Sequence, residues 1–292
     1  QVRPALTLLL GILAECSSKL NVWNAGAGGG AGSTQRMFLQ KGYAMLYNYA
    51  SRSFASLEKK LTPEYPYKAM SAGKSILLSD ARSVRQSCHV WITDPPYADA
   101  VNYEELSEVF LSWYAPHLRG SFPNWYTDSM RTSAVKGDDA PFRVSMAECY
   151  RNLAQNMPND GLQVLMFTHK STDVWEDLAL IMWSAGLQIK QVWSVSTETQ
   201  AGIKAGNYVQ ATYNMVLRKR TGDKIGFVDF ITPQVNKRVK EVITRMRESQ
   251  IEAGLARCGY TDTDYLLAAQ AAAAEVVTGY ATIDGVDLDA EL

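Results

Sequence analysis

Cysteine pairs, histidine clusters, long apolar runs and net charge are all missing or scarce in this chain of 292 residues. Its four cysteines, Cys16, Cys88, Cys149 and Cys258, lie far apart and form no CxxC pair. This spacing excludes a disulfide framework and a zinc knuckle, and with only three histidines no metal site is expected. A reducing cytoplasm suits such a protein best. The longest apolar stretches, Ala5 to Cys16 and the alanine-rich Leu266 to Val277, are interrupted by polar residues and fall short of the roughly 20 residues that a membrane span needs. The formal net charge of -1 excludes a globally basic clamp on nucleic acid, although a local basic groove fits within that sum. No basic-then-apolar signal segment is present, and the chain starts at Gln1, which reads as a piece of a longer protein.

What is present is an ordinary globular composition, 47% hydrophobic and 20% charged. Leu6, Leu9, Leu10 and Leu13 have helical spacing, and Ser33 to Leu61 reads as a second, less regular helical region. The glycine run Asn24-Ala25-Gly26-Ala27-Gly28-Gly29-Gly30-Ala31-Gly32 lies between them, after residues that read as helix. Beyond Pro63 and Pro66 come short apolar runs, Ser75 to Ser79 and His89 to Thr93, expected to be buried strands. A helix is expected over Tyr103 to Leu118, then a polar loop over Arg119 to Ala140. Phe142 to Met157 (helix), Leu162 to Thr168 (strand), Val174 to Ala185 (helix), Leu187 to Ser196 and Tyr208 to Arg218 (consecutive strands, hence an antiparallel hairpin) continue an α/β alternation. Val235 to Ala253 and Tyr265 to Gly279 read as helices. The expected organisation is therefore a helical region over 1–62, a core over 63–222 and a helical extension over 223–292. Trp113, Trp175, Trp183 and Trp193 occupy apolar positions and read as core.

The chemistry is concentrated in Asp94-Pro95-Pro96-Tyr97, which follows the apolar run Val90-Trp91-Ile92. A carboxylate and two dihedral-locked prolines at the carboxyl end of a strand make a rigid loop where open α/β sheets bind ligands. Asp-Pro-Pro-Tyr resembles the catalytic motif of S-adenosylmethionine-dependent methyltransferases that act on the amino nitrogen of adenine. The wider block from Trp91 to Trp113 is similar to that of the large adenine-specific DNA methylases, found in phage-defence and restriction-modification systems. The resemblance extends, more weakly, from Leu6 to Arg220.

The resemblance implies an incomplete Rossmann-like methyltransferase sheet, closed by the antiparallel hairpin and followed by the helical extension. It implies catalytic roles for Asp94, Pro95, Pro96 and Tyr97. The Asp94 carboxylate and the Pro95 carbonyl would accept from the amine, whose lone pair is otherwise delocalised into the ring, and aim that lone pair at the methylsulfonium. Tyr97 would stack on an adenine rotated out of the duplex. Asp80, with Ser79, Ala81 and Thr93, resembles the group that holds the S-adenosyl-L-methionine cofactor; on the residues alone Asp80 equally serves as a turn cap. His169 and Lys170 end another strand on the same expected edge, but this chemistry needs no general base.

The glycine run copies the spacing of the family's cofactor loop with Asn first and no Phe, and reads better as a connector. The true cofactor loop is then expected before Gln1 or on another chain. DNA with a flipped adenine, and other defence subunits, are the implied partners. An RNA adenine methyltransferase and a non-catalytic DNA-binding or scaffold subunit are the alternatives. Arg218, Lys219, Arg220, Lys224, Lys237, Arg238, Lys240, Arg245 and Arg247 form a basic segment that could meet phosphates or be a solvated helix face.

Overall fold

A computed structural model describes residues 2–18, 20, 22–24, 33–35, 75, 77–96, 103–123, 133–135, 139–169, 171–196, 211–252 and 260–292. The chain divides into two compact units, residues 1–78 with 102–134, and residues 79–101 with 135–292.

The first unit pairs helix α1 (Val2–Ser17) with helix α2 (Tyr103–Ser121). Gly11 lets the helices approach: its missing side chain leaves room for the Tyr114 hydroxyl, which accepts from Gly11 N at 3.0 Å and donates to the Leu8 carbonyl at 3.0 Å. Strands β1 (Val22–Asn24) and β2 (Ser33–Gln35) pair antiparallel in the same unit. Two expectations are corrected here. The residues entering the glycine run are strand rather than helix, and Ser33–Gln35 begins with a strand where a helix was expected; three-residue pairing outweighs the local propensity. The glycine run beyond Asn24 lies outside the described residues.

The second unit is built on a sheet of β3 (Val90–Thr93), β4 (Leu162–Phe167), β5 (Leu187–Ser196) and β6 (Ala211–Lys219), in the order β3-β4-β6-β5. β3 and β4 pair parallel, whereas β6 runs antiparallel to both β4 and β5, so three strands point one way and one is reversed. This is a mixed α/β sheet with the expected terminal hairpin.

Register explains which side chains are buried. Leu165↔Met215, Phe167↔Tyr213 and Gln163↔Leu217 are paired across β4 and β6, so the alternate residues of both strands share one face. Helices α3 (Asp139–Gln155), α4 (Thr172–Ser184), α5 (Val228–Glu252) and α6 (Asp262–Val277) contribute to the same apolar cluster: Tyr150, Trp175, Ile181, Met246, Leu267 and Ala271. Segment 223–292, read from sequence as an extension, thus shares the core of the sheet unit, and the helix at 103–121 belongs with the amino-terminal unit. Alanines at 268, 271, 272 and 274 are the reason, since a small-residue face lets α6 pack closely.

Turn chemistry leads α4 into β5. Gly186 follows α4 at φ 75°, where a side chain would be strained, and its N–H reaches the Trp183 carbonyl at 3.1 Å while that of Ala185 reaches Ile181 at 3.0 Å. A short parallel pair, β7 (Ile225–Gly226) with β8 (Thr282–Ile283), ties the start of α5 to the segment after α6, and helix α7 (Leu288–Glu291) follows.

Two more expectations differ from the structure. Residues 77–80 form no strand, and Leu77 and Leu78 are exposed, because a short run with no strand beside it among the described residues gains nothing from extension. Trp113 and Trp193 are exposed, the latter because β5 is an edge strand whose Gln191, Trp193 and Val195 all face outward. No helix among the described residues is long and apolar enough to cross a membrane.

Candidate functional site

The polar residues at the strand ends owe their positions to the pairing of β3 with β4. Because these strands are parallel, with Thr93 opposite Leu165, their carboxyl ends open on one edge of the sheet: Asp94-Pro95-Pro96 from β3 and Thr168-His169 from β4. Asp94 is exposed and the two prolines are half-buried. Tyr97 and Lys170 lie outside the described residues.

The residue before Asp94 is locked from below. The Thr93 hydroxyl lies 3.0 Å from the Tyr150 hydroxyl and donates to the Val164 carbonyl at 3.4 Å, tying β3 to α3 and to β4 one step from the loop. Burial pushes the Tyr150 phenol well above its usual range, so it stays a neutral hydrogen-bonding group.

The segment leading into β3 is held by the last turn of α3. Asn152 Nδ2 donates to the carbonyls of Ala81 and Val84 at 2.9 Å each, and Asn156 Nδ2 donates to Val84 at 3.0 Å. The N–H of Cys88 then bonds the Asn156 carbonyl at 3.0 Å, and that of Leu162 bonds His89 at 2.9 Å. Tyr150, Asn152 and Asn156 were not singled out in the sequence. The i, i+4 asparagines were the available signal, two amides on one helix face with no apolar role.

Asp80 behaves as a turn cap. Its carboxylate accepts from Arg82 N at 2.9 Å, capping the single 3-10 turn Ala81–Ser83, and is gripped by the Arg82 guanidinium at 2.7 to 3.2 Å. These contacts occupy the roughly four lone-pair positions that a carboxylate offers. The hydrogen bond from Arg82 holds the Asp80 carboxyl below its ordinary value. A lowered carboxyl stabilises the fold above the usual carboxylate range and loses that contribution as the pH falls through the lowered value.

Ser79 and Ala81 are exposed, and the Thr93 hydroxyl is committed to Tyr150 and Val164. A ligand amine approaching the Asp80 carboxylate would therefore compete with Arg82.

Other chemistries find little support at this edge. Among the described residues no group of three His, Cys, Asp or Glu side chains could hold a metal ion. Burial pushes the Cys149 thiol up to about 11, so it is not a thiolate nucleophile at neutral pH. His169 is built into the turn: its Nδ1 accepts from Ser171 N at 3.1 Å and its carbonyl from Trp175 Nε1 at 2.9 Å. An apolar cavity of about 320 Å³ lies between α4 and α6, lined by Trp175, Leu180, Trp183, Ala273 and Val277 among others, and no strand-end residue lines it.

Beneath the loop lies a polar irregularity. Trp91 and Gln163 are register partners on adjacent strands, and Trp91 Nε1 and both amide atoms of Gln163 are buried without hydrogen-bond partners. A buried unpaired polar group costs roughly 1–3 kcal/mol, so an apolar side chain of the same shape should be preferred. Gln163→Met is therefore expected to stabilise the second unit by about 1 kcal/mol, raising its melting temperature by roughly 2–4 °C. A melting curve that shifts downward would show that Gln163 is satisfied in solution.

No protein-family model, curated protein or solved structure matches this chain.

Proposed function

We propose that the protein takes part in methyl transfer from S-adenosylmethionine to the exocyclic amino group of adenine in DNA, with the Asp94-Pro95-Pro96-Tyr97 loop engaging the flipped base. The observation that supports this reading is the position of the motif. Asp94, Pro95 and Pro96 stand at the carboxyl end of β3, beside the parallel strand β4, on a backbone anchored through Thr93, Tyr150 and Val164. A rigid acceptor pair is what the chemistry requires, since the amine must be turned out of conjugation before its lone pair can attack.

In this reading the Asp94 carboxylate accepts one amine hydrogen and the Pro95 carbonyl the other, while Tyr97 offers a face for the base. The proton lost from the product passes to water. The cofactor supplies the electrophilic methyl group. The reading takes this sheet as the later strands of a Rossmann-like methyltransferase sheet, with β3 as the outer strand among the described residues. Val90 and Ile92 on β3 are exposed, 50% and 68%, which is unusual for a parallel strand and leaves that face of the sheet uncovered. A cytoplasmic location and a role in phage defence belong to the same proposal.

One observation favours a second reading, a non-catalytic DNA-binding or scaffold subunit: the Asp80 carboxylate is already taken by Arg82. The two readings separate on Arg82→Ala. If Asp80 binds the cofactor, removing its competitor should tighten S-adenosylmethionine binding several-fold in calorimetry, and Asp80→Ala should abolish it. Absence of binding in the parent protein and in Arg82→Ala alike would favour the non-catalytic reading.

A further inference from the structure

The outward face of α5 carries two features that the strand-end loop does not use. The first is a line of cations. At 3.6 residues per turn, Lys237, Lys240, Thr244 and Arg247 fall within about 80° of arc, and Lys237 and Arg247 stand about 15 Å apart along the axis. All four are exposed. The inner cation of this helix is spent elsewhere: Arg238 bonds Glu275 at 2.9 Å and Glu241 at 3.2 Å, so it offsets one of these two carboxylates and adds nothing to the outer line. Glu248 and, at the amino-terminal end, Asp229 are exposed opposing charges on this arc, and Arg245 lies exposed at its flank.

The second feature is aromatic. Phe230 is 72% exposed one helical stretch before Lys237, on the same arc, and packs edge to face with the half-exposed Phe227 at a centroid distance of 6.5 Å. Together Phe227 and Phe230 present an exposed aromatic pair rather than a lone side chain. Asp229 beside it is exposed and negative, which disfavours a purely electrostatic partner at this end.

From these two observations we infer that the outer face of α5 binds a single strand of nucleic acid, with phosphates along Lys237, Lys240 and Arg247 and an unpaired base stacked on Phe230. The cationic line matches a polyanion in sign and in length. The aromatic end matches a base face, which a paired duplex does not present. A duplex would gain from the cations but would leave Phe230 bare. An acidic peptide would meet the cations but has no reason to prefer an aromatic platform. The inference shares with methyl transfer only the class of partner, and it requires neither Asp94 nor a cofactor.

The test is fluorescence anisotropy with the whole 292-residue chain in the absence of S-adenosylmethionine, using oligo-dT, oligo-rU and a DNA duplex of equal length. Single strands are expected to bind more tightly than the duplex. Lys237→Ala/Lys240→Ala/Arg247→Ala should reduce the slope of log affinity against log salt by about 2, the value expected when three cations leave a single strand. Phe230→Ala should weaken single-strand binding about tenfold with the slope unchanged, because stacking releases no counterions. The charge-retaining triple Lys237→Arg/Lys240→Arg/Arg247→Lys should bind as the parent does. A preference for oligo-dT or for oligo-rU identifies the source of the strand and supports the same surface. Equal affinity for the duplex with no effect of Phe230→Ala, or an unchanged slope in the triple alanine variant, overturns it. Loss of methylation in Asp94→Ala with this binding intact separates the failure of one reading from that of the other.

Discussion

Replacing Asp94 by alanine is expected to lower adenine methylation by the whole natural protein by about 100-fold or more, with S-adenosylmethionine affinity nearly unchanged. The magnitude follows from what one preorganised polar group contributes where charge develops, roughly 10²- to 10³-fold in rate. The exposed carboxylate sits at the strand end beside half-buried prolines, so its removal takes away an acceptor without opening the core. Asp94→Asn keeps an acceptor oxygen but no charge and should fall between alanine and the parent. The assay is the appearance of methylated adenine in a duplex substrate, with cofactor binding followed in parallel by calorimetry. A rate within tenfold of the parent for Asp94→Ala would remove Asp94 from the reacting centre and, with it, the principal support for methyl transfer.

The second large effect concerns stability. Thr278 caps the carboxyl end of α6 and is fully buried; its hydroxyl donates to the Ala274 carbonyl at 2.8 Å and accepts from the Ile189 N–H at 3.0 Å. That N–H needs an outside partner because β5 is bulged here: the register with β6 jumps between Ile189 and Gln191, leaving Lys190 as the extra residue. Thr278→Val keeps the shape and deletes the hydroxyl, so the Ile189 N–H is left buried and unpaired. We expect a loss of about 1–3 kcal/mol, read as a lower denaturant midpoint with an unchanged slope. Thr278→Ser, which retains the hydroxyl and loses only a methyl group, should cost less. Equal losses for Val and Ser would mean that packing rather than the hydrogen bond holds this corner.

These two positions also show how far the sequence could be read. The strand-end location of Asp94 was legible because an apolar run stopping at Asp-Pro-Pro leaves few other local structures. The strands at Leu162, Leu187 and Ala211 were legible from length and alternation, and the last two, being consecutive, had to form a hairpin. Thr278 was not legible. Its partner is a bulge 89 residues away, and neither residue type announces the other.

Asp80 illustrates the same limit at the candidate site. One aspartate at the end of an apolar run suits a cofactor contact and a turn cap equally well. What the sequence did not show is that Arg82, two positions on, closes a short-range pair with that carboxylate. The two strands where helix was expected, Val22–Asn24 and Ser33–Gln35, were settled by pairing with each other, which no local propensity reports.

By itself, then, the sequence determined the alternation of helices and strands over residues 90–219, the antiparallel closing hairpin and the placement of the Asp-Pro-Pro loop, because periodicity and dihedral restriction are local properties. Only the tertiary structure decided that α6 joins the sheet's core through its alanine face, that Asn152 and Asn156 hold the approach to β3, and that Asp80 is spoken for by Arg82. Each of these depends on which groups meet in space, and burial and hydrogen-bond satisfaction are settled by those meetings rather than by the order of residues along the chain.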